Sequence, residues 1–247
     1  MTFQLLPVID KIMELYRMPL SPVRFEQYLK LLHDATKDEL VLPVGGFNPM
    51  AKEHALEQLE KLKALDAEGI VAALLPALNK VIMADLPDAT ISISVNLSDD
   101  VKGGWTNRYT SDYDSKFKIN ALLSRRFCTP IFWTSESFST NMIRQRILEY
   151  AWRTVYRQQH PAPKTLKDHL AQEMFVARQA PFSSAVSPDL ITTTGRVYRD
   201  YMNSEDYHVI FNFFYGSDVS ASLSFPLHFD LPDMAGFRYA TYLASHS

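Results

Sequence analysis

Residues 91–98 read Ile-Ser-Ile-Ser-Val-Asn-Leu-Ser, so apolar and polar side chains alternate there without a break. Strand side chains point to opposite faces with a period of two, which makes this segment a strand with one apolar face and one polar, half-exposed face. It also divides the chain. Helical periodicity dominates before it, and short strand candidates mixed with long helices follow it.

The first 86 residues carry four helical patterns and no strand candidate longer than five residues. Phe3, Leu6, Ile9, Ile12, Met13 and Tyr16 recur at helical spacing and stop before Pro19. Ser21-Pro22 opens a second helix, with serine as N-cap and proline at N1, through Phe25, Tyr28, Leu29 and Leu32. Asn48-Pro49 starts a third, with Leu56, Leu59, Leu62 and Leu65 inside. The fourth runs from Ile70 to Leu86, bent or begun late at Pro76.

Beyond Pro87, Asp99 to Ser115 reads as a long polar, aromatic-rich loop, followed by a short strand candidate at Lys116–Asn120. Cys128–Thr134 is another strand, and Pro130 places it at a sheet edge. Helices are expected from Ser139 to about Gln158, from Thr165 to about Ala180, and from Pro188 to Met202. Tyr207–Tyr215 and Ser222–Phe229 flank Gly216-Ser217-Asp218 as a strand–turn–strand, and Pro232 opens a C-terminal helix. The expected fold is α+β: a helical N-terminal part, then a mixed region with a mainly antiparallel sheet and several long helices. With no linker at the change, residues 1–247 are expected to form one body, divisible into 1–87 and 88–247.

Composition excludes more than it identifies. A single cysteine, Cys128, rules out an intramolecular disulfide framework and any multi-cysteine metal site. It precedes an apolar strand, so a buried, inert thiol is expected despite Arg125 and Arg126 nearby. No basic leader with an apolar stretch opens the chain, and no apolar run approaches the ~20 residues of a membrane-spanning helix. A cytoplasmic protein without a membrane partner is expected. The formal charge of −3 argues against nucleic acid as a partner.

That charge is unevenly distributed. Residues 1–89 hold 9 basic and 13 acidic side chains, residues 90–180 hold 13 and 8, and residues 181–247 hold 3 and 7. The thirds therefore carry −4, +5 and −4. Eight of the central basics are arginines, whose planar forks suit carboxylate and phosphate. Either they meet an anion, or the basic middle neutralises the acidic ends within the fold. On the Ser139–Gln158 helix, Ile143, Ile147, Tyr150, Ala151, Thr154 and Val155 share a wide buried face. Arg146, Glu149, Arg153 and Arg157 form the remaining stripe, where Glu149 is spaced to pair with Arg146 and Arg153.

Motifs for phosphate loops, dinucleotide binding, nucleophile elbows and zinc helices are absent. The leading expectation is a non-catalytic binding protein for an anionic small molecule or acidic peptide. Its ligand residues would be Trp105, Arg108, Tyr109, Arg125, Arg126, Arg146 and Arg153. The alternative is a hydrolase or transferase with a non-standard acid–base site, for which Glu149, His169 and Asp112 are the candidates. A third is a structural homo-oligomer built on the aromatic surplus. His169 and Glu173 share a helix face at metal-ligand spacing, but without a third ligand they read as a surface pair. His228, Asp230 and Asp233 read as capping groups near the last helix, and Gly45-Gly46 and Gly103-Gly104 as turns. No metal or cofactor is expected. Two acids, or an acid and a histidine, within ~3–5 Å of each other in an enclosed pocket joining Trp105, Arg126 and Arg153 would favour the enzyme.

Overall fold

The computed structural model describes residues 1–33, 42–43, 48–51, 53–82, 89–101, 106–181, 186–226 and 229–246. They form two compact units, Met1–Ala151 and Trp152–Ser247. The expected change of character near residue 87 lies inside the first unit, where strands from either side of it pair.

The first unit opens with a strand, β1 (Thr2–Leu5), rather than a helix. The helix α1 (Ile9–Arg17) begins only after Pro7, and Glu68 caps it by accepting from the Val8 and Ile9 amides at 2.6 and 3.1 Å. Then come α2 (Pro22–Leu32), α3 (Glu53–Ala64) and α4 (Ala67–Ile82), the last continuous through Pro76. Asn79 on α4 accepts from the Phe3 amide at 2.7 Å and donates to the Phe3 carbonyl at 2.9 Å, tying α4 to the backbone of β1.

The alternating segment forms β2 (Thr90–Ile93) and β3 (Asn96–Ser98). The helices α5 (Arg108–Phe117) and α6 (Asn120–Ser124) lead to β4 (Phe127–Cys128) and β5 (Ile131–Trp133). A mainly antiparallel sheet was expected, and the structure overturns it. β1 pairs with β2, β2 with β4 and β3 with β5, and every pairing is parallel. Parallel neighbours need crossovers: the polar segment read as a loop coils into α5, whose last turn also takes up the start of the strand expected at Lys116–Asn120, and α6 follows.

One proline divides this ladder. Amides of Ser92, Ser94 and Asn96 donate in turn to the carbonyls of Arg126, Cys128 and Pro130 at 2.8, 3.1 and 3.0 Å. The next return donor in that register is residue 130, and proline has no N–H. Its missing bond should have gone to the Ser94 carbonyl. The Asn96 side chain takes its place, donating to that carbonyl at 3.0 Å and to Ser94 Oγ at 3.0 Å. Both faces of the strand are buried: Ile91, Ile93, Val95 and Leu97, but also Ser94, Asn96 and Ser98, are at most 3% exposed. The half-exposed strand inferred from the alternation is therefore an interior one.

The helix α7 (Thr140–Gln159) runs from the first unit into the second, with Ile143, Ile147, Tyr150, Ala151, Thr154 and Val155 buried as their spacing predicts. The second unit continues with α8 (Leu166–Gln179), α9 (Pro188–Tyr201), α10 (Tyr207–Tyr215), α11 (Ser217–Ser222) and α12 (Ala235–His246). Thr165 and Asp168 form the capping box that starts α8. The expected strand pair at 207–229 is a correction too: the described residues there form α10 and α11. Asp206 caps α10 by accepting from the His208 and Val209 amides. Phe211, Phe213, Phe214 and Tyr215 are at most 1% exposed, so this helix is apolar all round and shows no helical periodicity. Gly236 on α12 lies against Phe213 and Phe214, where a Cβ would come within 2.8 Å of ring carbons.

Candidate active site

In open parallel sheets, ligands bind beyond the carboxyl ends of the strands. Two neighbouring strands of the first unit release polar residues at that end. β3 exits through Asp99 and Asp100, and β5 through Thr134, Ser135 and Glu136. The Thr134 amide still donates to the Ser98 carbonyl at 3.0 Å, so the ladder holds the two exits side by side.

Asp99 is 3% exposed. Its Oδ1 accepts from Thr134 Oγ1 at 2.9 Å, the Val101 amide at 3.2 Å and His54 Nε2 at 3.0 Å, while Asn48 Nδ2 lies 3.5 Å from Oδ2. Burial pushes this carboxyl up. The hydrogen bonds from His54, Val101 and Thr134, with the charge His54 can carry, outweigh it and hold Asp99 below its ordinary value of 3.8. His54 sits in the first turn of α3 and is 22% exposed. A carboxylate only accepts, so His54 Nε2 bears the proton and Nδ1 is left as the basic nitrogen of the neutral ring. No hydrogen bond reaches that nitrogen among the described residues.

Thr134 links Asp99 to Asp100, its hydroxyl lying 3.0 Å from Asp100 Oδ1. The Ser135 amide donates to the same oxygen at 3.0 Å, and Ser135 Oγ donates to Asp100 Oδ2 at 2.6 Å. Arg108, the first residue of α5, donates to Ser135 Oγ at 2.8 Å and to Glu136 Oε1 at 2.9 Å. Its guanidinium also lies 6.0 Å from the Trp133 ring centre and 3.7 Å from Asp100. Glu136 holds a second arginine as well, Arg146, through contacts of 2.5 and 3.0 Å. Arg146 donates to the Ile131 carbonyl at 3.0 Å and lies 4.9 Å over Phe132. Burial lowers its pKa, but Glu136 more than reverses that, and Arg146 stays charged and committed.

The arginines singled out in the sequence do not converge. Arg108 and Arg146 meet at Glu136. Arg125 and Arg126 are exposed and precede β4, at the opposite end of the strand from the exit at Thr134. Arg126 has φ of 61° and turns the chain into β4, its carbonyl accepting from Ser92. Arg153 belongs to the second unit, where it grips Glu173 through Nε at 2.9 Å and Nη2 at 2.6 Å. Tyr109 follows Arg108 in the first turn of α5. Trp105 lies outside the described residues, as do both Gly-Gly pairs and His228.

The acid–base candidates are placed differently from expectation as well. Asp112 is not in a loop but on α5, paired with Lys116 one turn later. Glu149 accepts from Gln145 at 3.1 Å, whereas Arg146 reaches back to Glu136. His169 and Glu173 are each 4% exposed, an interior pair rather than a surface one. His169 Nδ1 lies 2.8 Å from the Thr165 carbonyl, and burial holds the imidazole below its usual 6.5. Among the described residues no three metal-binding side chains group together. None of these helices is long and apolar enough to cross a membrane. Sequence reasoning missed His54, Asp99, Asp100, Thr134, Ser135 and Glu136. The one available signal was a pair of aspartates directly after a strand. No protein-family model, curated protein or solved structure matches this chain.

Proposed function

We propose that the protein is a hydrolase or transferase whose site lies at the carboxyl ends of β3 and β5, with Asp99 and His54 as its acid–base pair. The observation that carries this reading is the 3.0 Å contact between a buried carboxylate and a partly exposed imidazole at the end of a parallel sheet. Asp99 fixes the ring tautomer and stabilises the imidazolium once Nδ1 has taken a proton from water or a substrate hydroxyl. Arg108, 37% exposed, offers its outer face to an anionic group on the substrate, which retains an anionic small molecule or acidic peptide as the ligand class. Arg146 and Arg153 serve the fold, each held by a glutamate. A cytoplasmic location is part of this reading.

Turnover of a panel of chromogenic esters, phosphoesters and amides tests the reading. The wild-type chain should turn over at least one class. His54→Ala and Asp99→Asn should each lose about 100-fold or more, within the range general acid–base catalysis supplies, with unchanged circular dichroism. Full turnover in His54→Ala refutes the acid–base role.

A further inference from the structure

We propose that Ser135 is a nucleophile that accepts an acyl group from a carboxylic ester, with Asp100 taking its proton. The inference rests on the reading that this end of the sheet is the site. It concerns a group that the Asp99–His54 pair does not include. Ser135 is exposed at the exit of β5, where a substrate can reach it. Its hydroxyl is nonetheless held on two sides, donating to Asp100 Oδ2 at 2.6 Å and accepting from Arg108 at 2.8 Å. An exposed serine ordinarily turns freely and is a poor nucleophile. It is activated when a base fixes the hydroxyl proton and a cation stands beside the developing charge.

Both partners are themselves held. Asp100 Oδ1 accepts from the Ser135 amide and lies 3.0 Å from the Thr134 hydroxyl, which leaves Oδ2 aimed at the serine. Arg108 is held by Glu136 at its other nitrogen. In the acylation step, Ser135 Oγ forms a bond to the ester carbonyl carbon and its proton passes to Asp100. The carbonyl oxygen takes the negative charge beside Arg108. Collapse breaks the bond to the leaving alkoxide, which departs with the proton from Asp100. Water then attacks the acyl-serine, gives one proton to Asp100, and Ser135 regains it as the carboxylic acid is released. Ester and water enter, acid and alcohol leave, and the chain is unchanged.

A fluorophosphonate–biotin probe tests this whatever the identity of the ester. Incubation with the full chain, digestion and mass spectrometry should place one adduct on Ser135 in the native protein and none after heat denaturation. Asp100→Asn should label at least tenfold more slowly, and Ser135→Ala not at all. The wild-type result stands whatever the variants' folding. Absence of a Ser135 adduct from native protein under excess probe overturns the proposal, as does an equal rate in a folded Asp100→Asn. Labelling in His54→Ala separates the two readings. A Ser135 adduct there, with turnover intact, removes the acid–base pair and keeps the nucleophile. Turnover that depends on His54 with no adduct removes the nucleophile alone.

Discussion

The Arg153–Glu173 pair offers a quantitative test of why this interior tolerates charge. Arg153 and Glu173 are 3% and 4% exposed and face each other through two hydrogen bonds of 2.9 and 2.6 Å. Gln172 donates to the same carboxylate at 3.1 Å. Glu173→Gln keeps the shape but removes the negative charge that Glu173 sets against the guanidinium and turns one accepting oxygen into a donor. Breaking a buried pair from one side costs about 3–5 kcal/mol. For a chain of this size each kcal/mol shifts the melting temperature by roughly 2–4 °C, so a fall of about 6–20 °C follows. Arg153→Met alone should cost a similar amount by removing the positive charge set against the carboxylate. The double variant Arg153→Met/Glu173→Leu removes both charges together and should melt near or above wild type, since apolar replacement of such pairs is often neutral or better. Urea unfolding followed by circular dichroism on all four proteins closes the cycle. A loss under ~1 kcal/mol in Glu173→Gln, or additive losses in the double variant, would refute the reasoning.

The substitution of one amide for another in the ladder predicts a coupled pair of sites. Asn96→Leu should cost about 1–3 kcal/mol in wild type, because the Ser94 carbonyl loses its donor, and clearly less in a Pro130→Ala background that restores a backbone N–H. Thermal unfolding of the single and double variants decides it. Acid stability should fall in two stages. Burial keeps His169 below 6.5, against the opposing effects of the Thr165 carbonyl, Asp168 and Glu173 and alongside Arg157, so the native imidazole resists a proton that the unfolded chain accepts. Stability is complete above pH 6.5 and is lost as pH falls below it, a slope that His169→Gln should remove. Asp99 is held below 3.8, so its contribution is present above that value and disappears only as pH drops through its folded value. Urea midpoints measured from pH 7 to pH 3 separate the stages.

Much of the helical framework was legible. The capping box at Thr165 and Asp168, the start of α9 at Pro188 and the wide buried face of α7 are local signals, and local chemistry satisfies them. The sheet was less legible because strand direction is set by what lies between strands. Residues 108–117 are too polar to advertise a helix, since Tyr113, Lys116 and Phe117 are its buried residues. Without that crossover the strands around it looked antiparallel. Residues 207–215 misled for the opposite reason: aromatic on every side, they lack the contrast on which periodicity depends, and the cap at Asp206 was the informative residue. The candidate site was hidden by sequence distance. Asp99 and His54 lie 45 residues apart and Asp100 and Ser135 lie 35 apart, separations at which only the fold brings side chains together.

The pairing of Thr2 with Thr90 has a consequence for the birth of the protein. During synthesis β1 must wait for a partner 88 residues behind it. At roughly 5–20 residues per second that interval is about 4–18 s. Throughout it Phe3, buried in the finished protein, and the open edge of β1 stand unprotected. The Asn79 clasp on Phe3 is made only about ten residues before the partner strand itself, so it shortens the wait little. The segment around β1 is therefore where a chaperone would find this chain during synthesis, and faster elongation would shorten its exposure.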